Sequence, residues 1–76
     1  MGHHKVKIEK GVFGEYSKVR EEFEELTDAV EQKNKILIIC ELADLVGAIE
    51  EYTKSFNLTV KDLREFSNLN NKQNKN

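Results

Sequence analysis

Residues 36–49 (ILIICELADLVGAI) are the most apolar stretch of this chain, yet they carry two carboxylates, Glu41 and Asp44. The segment is shorter than the run of about 18 apolar residues that a membrane-crossing helix needs. Coiled as a helix, it is apolar nearly all round, so a single neighbouring helix cannot cover it. Its two acids lie three residues apart and share one helix face, on a stripe that Leu37 and Ala48 complete. Like charges on a buried face are expensive unless a cation or a hydrogen-bond donor compensates them. A second acidic pair with the same spacing, Glu22 and Glu25, stands upstream. Two helices packed antiparallel would bring all four carboxylates together, an arrangement suited to a hard cation.

The chain has 76 residues, enough for one domain with a small core, so oligomerisation is the expected remedy for marginal stability. Charged residues make up 34% and hydrophobic residues 38%, a balance that fits a soluble helical protein. With 12 basic against 14 acidic residues the net charge is −2, and no basic patch is interleaved with aromatics, so nucleic-acid binding is not expected. The lack of a secretory or membrane-spanning segment points to the cytoplasm. The single cysteine, Cys40, reads as a buried structural thiol.

Proline is absent and glycine is scarce, which favours helices throughout. The expected fold is all-α, with two long antiparallel helices and a short third helix, the bundle being completed by oligomerisation. Residues 1–11 read as an N-terminal arm, in which residues 5–10 alternate polar and apolar as a short extended segment does. His3 and His4, native or left from cloning, have no third ligand near them in sequence and receive no metal role. The helical domain spans 12–67. Its first helix runs from about Val12 to Gln32 on a stripe of Tyr16, Val19, Phe23, Leu26 and Val30, and a short polar turn follows. The second runs from Lys35 to Phe56 with Ile38, Leu42, Leu45, Ile49, Tyr52 and Phe56 on its main stripe and Asn57 as a C-cap. Thr59 opens a third helix ending near Phe66 or Ser67, and the Asn/Lys-rich residues 68–76 form a mobile polar tail.

The acids have blander readings. Glu22 and Glu25 lie in an acid-rich helix whose ordinary fate is a solvated face, and Glu41 and Asp44 could pair with Lys33, Lys35 or Lys54. Against that, the stretch Glu21-Glu22-Phe23-Glu24-Glu25-Leu26 followed by Glu41-Leu42-Ala43-Asp44-Leu45 resembles the EExxEL and ExxDL motifs of MazG-like all-α nucleoside triphosphate pyrophosphohydrolases. These are relatives of dimeric dUTPases and phosphoribosyl-ATP pyrophosphohydrolases. The resemblance covers roughly residues 12–66 and is nearest to small phage and bacterial members, which would place a phage-encoded chain in the host cytoplasm. It implies a dimeric or tetrameric helical bundle with Glu22, Glu25, Glu41 and Asp44 as ligands of Mg²⁺, or alternatively Mn²⁺. It also implies cleavage of the α–β phosphoanhydride to a nucleoside monophosphate and pyrophosphate. A ligand set of oxygens without His or Cys suits these ions better than zinc. Glu21 or Glu22 is the candidate general base, and Lys18, one turn before Glu22, the candidate phosphate contact. The chain departs from the family pattern after the third helix, where no recognisable pocket-completing motif follows. Two other readings therefore stand beside hydrolysis: a nucleotide-sequestering module on the same fold, and a structural helical oligomer with solvated acids.

Overall fold

A computed structural model describes residues 4–74, with side chains described for residues 4–69. Its regular structure is helical: α1 spans Tyr16–Glu31, α2 Lys35–Lys54 and α3 Val60–Asn74. The first two helices form an antiparallel hairpin. Glu22 and Asp44 meet near its middle, and Tyr16 meets Tyr52 toward its open end with ring centroids 6.2 Å apart.

Local chemistry sets the turn between them. The Asn34 N–H donates to the Ala29 carbonyl at 3.3 Å and the Lys33 N–H to the Val30 carbonyl at 3.0 Å, while Lys33 adopts a φ of 56°. This is a Schellman closure with lysine at the left-handed position that glycine usually fills. Asn34 then caps α2, its side chain accepting from the Leu37 N–H at 3.1 Å. A second closure of the same kind ends α2, with Asn57 at φ 61° and the Leu58 N–H reaching the Thr53 carbonyl at 3.4 Å. The C-cap itself is Ser55, and α2 ends at Lys54 rather than Phe56, so Asn57, expected as the C-cap, instead takes the left-handed position three residues beyond the last helical one. A reciprocal box opens α3: the Thr59 N–H donates to Asp62 at 2.8 Å, and the Asp62 N–H donates to the Thr59 hydroxyl at 3.2 Å.

Three expectations are corrected. α1 begins at Tyr16 rather than Val12, because Gly14 at φ 91° breaks the path and the Glu15 N–H closes a turn onto the Val12 carbonyl. α3 is not short: it continues to Asn74, through residues assigned to a mobile tail, since neither glycine nor proline follows Thr59 to stop it. Cys40 is half-buried rather than buried.

The pairing face differs from the main apolar stripes. The buried residues of the hairpin are Glu21, Glu22, Asp28 and Ala29 on α1 and Leu37, Glu41, Ala48 and Thr53 on α2, with the arm contacting Glu21 and Asp28. Leu37, Glu41, Asp44 and Ala48 make up the acid-bearing stripe of α2, and the small Ala29 and Ala48 suit a close helix approach. The main stripes are half-covered, with Val19, Leu26, Ile38, Leu45 and Ile49 half-buried. Other apolar side chains stay open: Phe23 is 58% exposed, Val30 52%, Ile39 58% and Val46 54%. The N-terminal arm lies along α1, tied to it by the Lys5 N–H to Asp28, the Arg20–Glu9 pair and the Gly11 N–H to Glu21. Gly11 approaches the Ser17 carbonyl so closely that a Cβ would collide with it.

Candidate functional site

The antiparallel register places Glu22 and Glu25 of α1 opposite Glu41 and Asp44 of α2. Glu22, Glu41 and Asp44 each offer an oxygen within 4.8 Å of the others, and Glu25 joins the group through Glu22 and Glu21 on one side and Glu41 on the other. Glu22 and Glu41 are buried, Glu25 is half-buried and Asp44 is exposed. All four residues singled out in the sequence therefore share one locus. Glu22 Oε1 and Glu41 Oε1 are buried and no donor from outside the cluster reaches them, while the Glu25 carboxyl, when protonated, hydrogen-bonds Glu22 and Glu41.

Like charges at this range cannot all persist. Burial, reinforced by the neighbouring Glu22 and Glu41 carboxylates, pushes the Glu25 carboxyl up to about 8. Desolvation of its inner side and the charges of Glu22 and Glu41 raise Asp44 as well.

Glu21 behaves differently. Burial would push it up, but the Gly11 N–H at 2.7 Å and the Lys18 ammonium at 3.1 Å outweigh that and hold it below the usual range. Lys18 also reaches Glu22 at 3.1 Å, and its hydrogen bonds to Glu21 and then Glu22 keep it firmly protonated.

Two site residues were not anticipated. His4 bridges the seam, with Nδ1 2.8 Å from Asp28 Oδ2 and Nε2 2.8 Å from Glu41 Oε2. Asp28 also accepts from the Lys5 N–H at 3.1 Å and from Gln32 Nε2 at 2.8 Å, and the His4 hydrogen bond foremost lowers its carboxyl. Desolvation alone would lower the His4 imidazole, but Asp28 and Glu41 reverse this and raise it. Asp28 was legible in principle, because Glu22-x-x-Glu25-x-x-Asp28 continues the same ladder. His4 was not, because its position depends on the path of an arm with no regular structure. His3 lies outside the described residues. The lysines considered as partners for Glu41 and Asp44 do not take that role among the described ion pairs: Lys54 binds Glu51 at 2.9 Å, and Glu41 binds His4.

A cleft of about 380 Å³ opens beside the acids, lined by Phe13, Lys18, Glu22, Ala43, Asp44, Gly47 and Ala48. Two other concavities, one along α3 around Phe66 and one where α2 meets α3 around Lys54, lie away from the cluster. Comparison with family models, with curated proteins and with solved structures returned no match to this chain.

Proposed function

We propose that this chain is a Mg²⁺-dependent nucleoside triphosphate pyrophosphohydrolase of the MazG-like kind, acting in the cytoplasm as a homo-oligomer. The observation that carries this reading is the convergence of Glu22, Glu25, Glu41 and Asp44, with Glu22 Oε1 and Glu41 Oε1 buried and reached by no donor from outside the cluster. Oxygen-only ligands suit Mg²⁺, with Mn²⁺ as the alternative, and Glu22, Glu25, Glu41 and Asp44 would hold it. When bound, the ion neutralises phosphate charge and orients the triphosphate.

The remaining work falls to the protein. Lys18, held at the cluster edge by Glu21 and Glu22, supplies a cation to a phosphate that enters. The ring of Phe13 and the small residues Ala43, Gly47 and Ala48 leave room in the cleft for a base. Glu21 Oε1 accepts from both Gly11 and Lys18 and Oε2 faces Lys10 at 3.8 Å, whereas no backbone N–H or lysine reaches Glu22 Oε1, which makes Glu22 the better of the two candidate bases. In the net reaction, water bonds to one phosphorus of the α–β anhydride, the bridging oxygen leaves with the other, and a carboxylate takes the proton.

A panel of nucleoside triphosphates incubated with protein and Mg²⁺ tests this, with products read by chromatography and binding by calorimetry. Monophosphate and pyrophosphate in equal amounts are expected, and amide substitution of Glu22, Glu25, Glu41 or Asp44 should depress turnover by orders of magnitude. Glu50→Gln should change little. Tight Mg²⁺-dependent binding without products would favour the sequestering module. No binding at all, with melting unmoved by millimolar Mg²⁺, would leave the structural oligomer. A ligand present at 100 times its dissociation constant should stabilise the fold by about 2.7 kcal/mol.

A further inference from the structure

The arm residue His4 changes the donor chemistry of one end of the cluster. His4, Glu25 and Glu41 each offer a ligand atom within 4.8 Å of the other two. Asp28 and Glu41 place carboxylate oxygens 2.8 Å from Nδ1 and Nε2, so Nδ1 donates to Asp28, and loss of the Nε2 proton to an entering cation leaves a lone pair directed into the cluster. Asp28 is itself fixed by the Lys5 N–H and by Gln32. A carboxylate that orients a histidine by one nitrogen while the other faces a ligand set is the usual outer shell of a metal-bound imidazole. The second, independent observation is Glu41 Oε1, buried and reached by no donor from outside the group, on a residue that belongs both to this group and to the Glu22–Asp44 group.

We infer that His4, Glu25 and Glu41, oriented by Asp28, form a mixed nitrogen–oxygen site for a borderline divalent transition ion of the manganese-to-zinc series, next to the all-oxygen group and sharing Glu41 with it. Imidazole nitrogen favours such ions over Mg²⁺, which prefers oxygen and gives up water reluctantly. Bond lengths of about 2.0–2.2 Å place two adjacent ligand atoms roughly 3–3.5 Å apart, close to the present spacing of Nε2 and Glu41 Oε2. The ion takes the place of the proton those two atoms share. This inference uses the carboxylates invoked for the pyrophosphohydrolase reading but needs no nucleotide and no turnover.

The test is metal binding to the full chain by calorimetry, with Zn²⁺, Co²⁺ and Mg²⁺ as probes and no nucleotide present. Asp28→Asn should weaken Zn²⁺ binding by about 10-fold or more. His4→Ala should weaken Zn²⁺ and Co²⁺ at least as much while leaving Mg²⁺ affinity within a small factor of wild type. Imidazole ¹⁵N resonances give a readout without substitution: saturating Zn²⁺ should move Nε2 of His4 to a metal-bound shift and leave Nδ1 protonated. Unchanged Zn²⁺ affinity in His4→Ala, loss of it in His3→Ala alone, or an unmoved His4 Nε2 overturns the inference. Zn²⁺ held through His4 by a protein that hydrolyses no nucleotide overturns only the enzymatic reading. Mg²⁺-dependent hydrolysis with Zn²⁺ binding indifferent to His4 overturns only this one.

Discussion

Glu25 is the residue at which the repulsion inside the cluster is most visible. Its folded pKa of about 8 stands above its ordinary 4.5, so its contribution to stability is fully present below about pH 4.5 and is lost as pH rises through 8. His4, also raised, contributes in the same sense above 6.5. Glu21 and Asp28 are lowered and work oppositely, their contributions being lost only as acid protonates them. The metal-free protein should therefore melt at progressively lower temperature between pH 5 and 8. Glu25→Gln, neutral at every pH, should flatten that slope, and saturating Mg²⁺ should flatten it in wild type, because the ion replaces the proton. Melting curves across this range decide it, and an unchanged slope in Glu25→Gln would place the titrating group elsewhere.

At the scale of elements, the helix ends carry much of the specification. The Asn34 cap and the Thr59–Asp62 box each join a side chain to backbone a few residues away, and the Asn57 closure is backbone to backbone around a residue type that tolerates positive φ, so their signals survive in a short window of sequence. Thr59→Ala should cost α3 about 1 kcal/mol. Since α3 packs little against the hairpin, the loss belongs in amide exchange of Val60 to Phe66 rather than in global melting. Other features were illegible for a physical reason. The first turn of α1 failed where Gly14 took a positive φ, which periodicity does not register. The choice of which stripe of α2 faces α1 could not be made from apolarity, since Ile38, Leu42, Leu45 and Ile49 outscore Leu37 and Ala48 there. The convergence of Glu22, Glu25, Glu41 and Asp44 was legible because i, i+3 spacing and a short turn leave antiparallel helices few registers.

The whole molecule is open for its size. Its radius of gyration is 14.7 Å, against roughly 11 Å for a compact chain of this length, and among the described residues the buried apolar ones are Ala29, Leu37 and Ala48. Ile36, Ile39 and Val46 on α2 and Phe23 and Val30 on α1 are exposed, and in the oligomer proposed above a second copy would cover them. Sedimentation at micromolar concentration should show a dimer or tetramer, and Ile39→Lys, harmless on an exposed site, should dissociate it. A stable wild-type monomer would refute this.

The acidic seam between α1 and α2 also sets fold stability against the proposed ion binding. An aliphatic side chain at position 25 would relieve the crowding of carboxylates there, since buried charges commonly yield to apolar replacements with a gain of stability. Glu25→Leu should accordingly melt higher than wild type without metal and lose its response to Mg²⁺. Under the proposed function Glu25 trades fold stability for ion binding, and directed evolution for thermal tolerance should replace it early and abolish any Mg²⁺ response in doing so.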